Sequence, residues 1–173
     1  MSRASYVRRK CFISYHHEDE AEVVTFINTF DTMHNLFIHR MLGGMNDDII
    51  NSHNPDYVMS RIRQEYLRDS TVTLVMIGRC TWARRYVDWE IQSSLRQGET
   101  ITPNGLLGII LPSATQSPRA RSRLDLNLET TNGPASYADW AHYPGSGLLL
   151  SQYIEEAYQK RISHRHLIKK PRN

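Results

Sequence analysis

Thr71-Val72-Thr73-Leu74-Val75-Met76-Ile77-Gly78 is a continuous apolar run closed by Asp69-Ser70 before it and Gly78-Arg79 at its end. It has the length of a strand, and its unbroken apolar character predicts burial on both faces. A strand of that kind belongs to a parallel sheet covered by helices on each side.

The flanking sequence continues the pattern. Upstream, Arg9-Lys10-Cys11-Phe12-Ile13-Ser14-Tyr15 predicts a first strand, and the polar turn His16-His17-Glu18-Asp19 leads into a helix. Val23, Phe26, Ile27, Phe30 and Met33 recur at helical spacing and form its expected buried stripe. The acidic cluster Glu18, Asp19, Glu20 and Glu22 suits the positive end of that helix. Residues 36–41 suggest a second strand, followed by a turn-rich loop to Asn54. Asn54-Pro55 starts a helix that buries Val58, Ile62 and Tyr66.

Downstream, a helix is expected over about 82–97 with Gly98 as its C-cap, then a buried strand, Gly105 to Pro112. A long polar connection, 113–147, holds a short element around Tyr137-Ala138-Asp139-Trp140. The last helix offers Leu149, Tyr153, Ile154 and Tyr158 for packing. This alternation predicts an α/β, three-layer fold: a parallel sheet of about five strands with helices on both faces. The expected organisation is a single domain, 1–162, with a basic tail, 163–173.

Composition narrows the function. The chain has 173 residues, 40% hydrophobic and 23% charged, which fits a soluble globular protein. It shows neither a membrane-length apolar run nor an apolar signal core at the N-terminus, so no membrane association and a cytoplasmic location are expected. Cys11 and Cys80 are expected to be free thiols. The net charge of +3 belongs to the tail: six Lys or Arg lie from Lys160 onward, with no acid. Taking them from 21 basic residues leaves 15 against 18 acids, so residues 1–159 carry about −3 and no nucleic acid is expected as partner. The tail is expected to be solvated and poorly ordered.

Several chemistries find no support. There is no Gly-rich phosphate loop and no Cys/His set with zinc spacing, and no metal is expected. The acid and lysine positions of a phosphorylated receiver are also missing. Glu90 is the better lead. Val87, Ile91 and Leu95 form the core stripe of its helix, and Tyr86, Glu90 and Ser93 or Ser94 form the neighbouring one. Glu90 then faces the carboxyl edge of the sheet, where such folds bind ligands. The alternative is a surface pair with Arg84, Arg85 or Arg96.

Phe12-Ile13-Ser14-Tyr15 resembles the first-strand signature of TIR domains, the run Asp69 to Gly78 is similar to their central strand, and Tyr86-Val87-Asp88-Trp89-Glu90-Ile91 resembles their Trp-Cys-x-x-Glu-Leu helix motif. Thr71 to Ile91, with Arg84-Arg85 before the aromatic, is similar to the TIR-like ThsB proteins of bacterial Thoeris anti-phage systems. The likeness covers about residues 10–111. Tyr86 and Val87 depart from the usual Trp and Cys; the glutamate is retained.

The resemblance implies a flavodoxin-like, TIR-like sheet and an enzyme that cleaves the nicotinamide–ribose bond of NAD⁺, used as substrate with no further cofactor. Glu90 is then the catalytic glutamate. Ser14, Tyr15 and His16 are expected to form the opposite wall of the pocket, Tyr86 and Trp89 to offer rings for stacking, and Asp47, with Asp48, to lie on a lining loop. Trp140 and His142 are expected over the pocket as a lid. The product would be an ADP-ribose-derived signal read by a separate effector, with a phage-derived trigger and self-association as further expectations. The alternative is a non-catalytic TIR-like interaction module.

Overall fold

Among the described residues five parallel strands form the sheet: β1 (Arg9–Ser14), β2 (Phe37–Met41), β3 (Val72–Ile77), β4 (Gly105–Ile110) and β5 (Asp139–Ala141), in the order β2-β1-β3-β4-β5. The structure, a computed structural model, describes residues 7–41, 52–79, 85–114, 124, 127–128 and 135–169; of Tyr66, Arg85 and Tyr86 it describes the backbone only. The second expected strand is β2, and the short element around Tyr137–Trp140 is β5, an edge strand. Among the described residues, α1 (Glu20–Ile27), α2 (Pro55–Ile62), α3 (Arg85–Ser94) and α4 (Gly147–Ser163) accompany the sheet. The three-layer expectation holds.

Alternation along the strands divides the core. Cys11, Ile13, Leu74, Met76, Leu107 and Ile109 face α1 and α4, meeting Val23, Phe26, Ile27, Leu150, Ile154 and Ala157. Val75, Ile77, Leu106 and Ile110 face the other way, against Val87 and Ile91 of α3 and Leu95 just beyond it, while Phe12 meets Val58, Met59 and Ile62 of α2. A period of two is what a sheet covered on both faces requires. α4 approaches β4 closely: a Cβ on Gly105 would lie 2.1 Å from the Ala157 carbonyl oxygen.

Asn54 caps α2, its Oδ1 accepting from the backbone N–H groups of Asp56 (3.1 Å) and Tyr57 (3.3 Å), with Pro55 in the first turn. Among the described residues no helix is long and apolar enough to cross a membrane.

Four expectations need correction. Met33 is 68% exposed, because Asn28–Met33 forms a wider π-type turn that carries it off the α1 stripe. Asp31 turns inward instead and takes Arg8 at 3.2 Å and the His39 ring. The described part of α3 ends at Ser94, and Gly98 closes a small loop with Ile101 rather than capping the helix. On α4 the buried leucine is Leu150, not Leu149. The tail is packed through Lys169: Leu167 and Ile168 lie against the α3 side of the core, and Asn127 exchanges two 2.9 Å hydrogen bonds with the Lys169 backbone.

Candidate active site

The order of strand addition reverses between β1 and β3, so their carboxyl ends frame the crevice where a doubly wound sheet binds ligands. Ser14 ends β1 there, opposite Val75 of β3. Its Oγ donates a hydrogen bond to Oε2 of Glu90, brought in by α3 from 76 residues away. Ser14 is fully buried and Glu90 is 2% exposed. A buried carboxylate is tolerable only when it is partnered, and a donor to an ionised acceptor makes the stronger kind of hydrogen bond. Its burial means that Glu90 is not the solvated surface acid of the alternative reading, and the pairing of Ser14 with Glu90 across the crevice is present.

The helix carrying Glu90 is fixed by a chain of polar side chains. Ser94 Oγ donates to the Glu90 carbonyl at 2.8 Å. Its single proton is thus used, so Thr73 Oγ1, 2.7 Å away, is the donor between those two hydroxyls. Thr73 in turn accepts from Asn104 Nδ2 at 3.2 Å, and the same amide donates to Ser70 Oγ at 2.9 Å. Asn104 accepts from the Tyr137 hydroxyl through its backbone carbonyl at 2.6 Å. The relay ties α3 to β3 and to the start of β4, which sets where the Glu90 carboxylate stands.

Asp19 is a buried acid whose position the acidic cluster did not reveal. Glu18 and Glu20 are exposed and Glu22 is half-buried, but Asp19 is 6% exposed. It makes no side-chain cap to α1, and its Oδ2 has no hydrogen-bond partner among the described residues. The carboxylate rests on Gly78 at the carboxyl end of β3, where an added Cβ would lie 2.0 Å from Oδ2. Burial pushes the Asp19 carboxyl above its ordinary value; His16 and His17 partly oppose this, and Glu22 and Glu18 add to it. Asp19 stands at the N-cap of α1, where the acidic cluster was expected, without a side-chain hydrogen bond to the helix. The composition of the segment carries no signal that would single it out from its three acidic neighbours.

The remaining expected residues divide. His16 stands at the carboxyl edge, its Nδ1 accepting from the Glu18 N–H at 3.2 Å and its ring stacked on His17 at 4.4 Å. Tyr15 alternates away from Ser14 into the α1–α4 side of the core, with its hydroxyl donating to Glu20 at 3.3 Å. It is a core residue on the far side of the sheet from Glu90. Trp89, 8% exposed, packs with Phe12, Val58, Met59 and Ile62, so its ring fills the space between α2 and α3 instead of offering an open stacking surface. Tyr86 lies on the first described turn of α3, its side chain outside the description, and Asp47 and Asp48 lie outside the described residues.

Trp140 sits on the edge strand beside Gly108, edge-on to His142 at 5.4 Å. β3 and β4 separate it from β1, so these two rings do not cover the Ser14–Glu90 pair. Cys11 is a free thiol whose pKa burial pushes far up, and Cys80 is outside the described residues. Among the described residues no group of three or more His, Cys, Asp or Glu gathers as a metal site would.

A buried carboxylate with a hydroxyl donor, aimed at the crevice of an α/β sheet, can hold sugar hydroxyls and stabilise a positive charge forming beside it. The family described as "Thoeris protein ThsB, TIR-like domain" matches residues 12–116, a span that runs from within β1 through β4 and includes Ser14, Asp19 and Glu90. No curated protein matches the chain.

Proposed function

The chain belongs to the ThsB TIR-like family of Thoeris defence, and on that premise we propose that it cleaves the nicotinamide–ribose bond of NAD⁺ to make an ADP-ribose-derived signal. The observation that supports this most is the buried Glu90 carboxylate, held by Ser14 at the carboxyl end of β1.

The chemistry needs one carboxylate. When the C1′–N bond breaks, its electron pair leaves with the pyridinium nitrogen, and nicotinamide departs neutral. No acid has to protonate it, unlike the leaving group of an ordinary glycosidase. What remains is an oxocarbenium-like ribosyl cation, which the Glu90 carboxylate stabilises until an acceptor hydroxyl, amine or water attacks C1′. A charge pair about 4 Å apart at an effective dielectric of about 20 interacts by roughly 4 kcal/mol. If this arises only in the transition state, it supplies a factor of about 10³ in rate. Burial removes competing water and strengthens that field. A phage-derived trigger, self-association and a separate effector that reads the product complete the proposal.

A second reading, a non-catalytic TIR-like interaction module, draws on one observation: the Glu90 carboxylate is engaged by Ser14 and almost wholly enclosed. One experiment separates the two. The protein and its Glu90→Gln variant are incubated with NAD⁺, with and without phage-infected lysate, and the products are identified by mass spectrometry. Nicotinamide and an ADP-ribosyl product from the wild type alone support catalysis. NAD⁺ left intact in every condition, or equal turnover by the variant, overturns it in favour of the interaction module.

A further inference from the structure

A cavity of about 720 Å³ opens at the amino-terminal edge of the sheet, away from the carboxyl ends of β1 and β3. Arg63 and Arg68 reach it from the turn after α2, Arg96 from just beyond α3, and Arg161 from the last turns of α4; Ser70 and Asn104 are among its polar walls. No Asp or Glu lines it among the described residues. Two nearby acids are engaged elsewhere: Glu65 with Arg61, and Asp69 with Arg40 at 3.0 Å and Lys10 at 3.4 Å. Arg161 is held in place by its Nε, which donates to the Pro103 carbonyl at 3.1 Å.

These cations are gathered at a cost. Burial lowers the Arg63 pKa, Arg96 lowers it further by repulsion, and Asp56 opposes this only in part. Cations in the last turn of a helix are favoured by about 0.3–1 kcal/mol each, which accounts for arginines near helix ends. It does not account for four of them around one concavity with no acid among the described residues that line it. An anion in the cavity removes the repulsion and finds guanidinium forks shaped for bidentate contact with phosphate oxygens. The volume lies within the roughly 300–1,000 Å³ of small-molecule sites, far more than one inorganic phosphate fills. Hydroxyl groups on Thr100 and Thr102 are suited to the polar remainder of a nucleotide.

We propose that this cavity binds a phosphate-bearing small molecule of nucleotide size, with Arg63 and Arg96 gripping its phosphates. The site is separate from the Glu90 crevice and does not depend on the reading of that crevice as catalytic.

The test is calorimetric titration of the full chain with ADP, pyrophosphate and inorganic phosphate, at low and at raised salt. ADP is expected to bind tightest and pyrophosphate next, both weakening as salt rises. Arg63→Gln/Arg96→Gln is expected to weaken ADP by at least about tenfold, the effect of losing charge-assisted contacts. Arg96→Gln alone, at an exposed position, keeps the fold and weakens it by at least about threefold. Arg79→Gln, an equal loss of charge on the exposed turn after β3, leaves ADP binding unchanged, as does Glu90→Gln. Absence of binding by all three anions would assign the arginines to the helix ends and overturn the proposal. So would unchanged ADP affinity in both the double and the Arg96 variants, or tighter binding of a short single-stranded oligonucleotide than of ADP.

Discussion

Removing the Ser14 hydroxyl tests whether the carboxylate at the crevice is held as the structure describes. Ser14 is fully buried, so Ser14→Ala leaves Glu90 Oε2 without that donor. A hydrogen bond to a charged group contributes about 1.5–3 kcal/mol. For a domain of this size each kcal/mol shifts Tm by about 2–4 °C, so Ser14→Ala should melt roughly 3–12 °C lower. Glu90→Gln retains a carbonyl acceptor for Ser14 but removes the charge, and a neutral hydrogen bond contributes about 0.5–1.5 kcal/mol. With Glu90→Gln already in place, the same serine deletion should therefore cost about 1–1.5 kcal/mol less. That difference is the coupling energy of a double-mutant cycle, measured by urea unfolding of the wild type, both single variants and the double variant. It stands well above the roughly 0.3–0.5 kcal/mol scatter of independent sites. A coupling within that scatter, with m-values unchanged, would refute the buried pair and the site built on it.

Three further outcomes follow from the packing. Asp19→Asn should raise Tm at pH 7: a carboxyl whose folded pKa is raised makes the native state bind more protons, so stability falls as pH climbs from the ordinary carboxylate value through the raised one. The gain should shrink on acidification and vanish below the ordinary value; a gain independent of pH in thermal melts would count against it. Gly78→Ala puts a Cβ 2.0 Å from Asp19 Oδ2 and should cost about 1–3 kcal/mol, most of it recovered by adding Asp19→Ala; an unrecovered loss would contradict the contact. Gly105→Ala meets the Ala157 carbonyl at 2.1 Å, which is helix backbone and cannot rotate aside, so in urea unfolding it should cost more than Gly78→Ala; a smaller cost argues against the close seat of α4.

What the sequence made legible was set by how far each signal is local. β3 and β4 are apolar without interruption and needed no context, and Asn54-Pro55 announces α2 through its own chemistry. Val87, Ile91 and Leu95 fixed the phase of α3, and with it the side on which Glu90 lies. Phase was lost where the helix changes pitch, at Met33, and where Leu148-Leu149-Leu150 offers three equivalent residues within one turn. Asp19 could not be told from Glu18, Glu20 and Glu22, because its difference lies in Gly78, 59 residues along the chain. Tyr15 and Trp89 were conspicuous as aromatics near the crevice, yet both serve the core, since strand and helix geometry turn them from the groups beside them in sequence. The packing of the tail depends on Asn127, which lies within the long polar connection that local patterning leaves unassigned.

The seat of α4 against the sheet also orders events in time. Leu150, Ile154 and Ala157 complete the cover over Cys11, Ile13, Leu74, Met76, Leu107 and Ile109. On the ribosome, β1, β3 and β4 are therefore made well before the helix that shields one of their faces. At 5–20 residues per second, the chain from Ile110 to Ala157 takes roughly 2–9 s to synthesise. Through that interval the central strands present an apolar surface to other nascent chains and to chaperones. Newly made protein therefore passes through a window of aggregation risk that closes only as the last long helix docks.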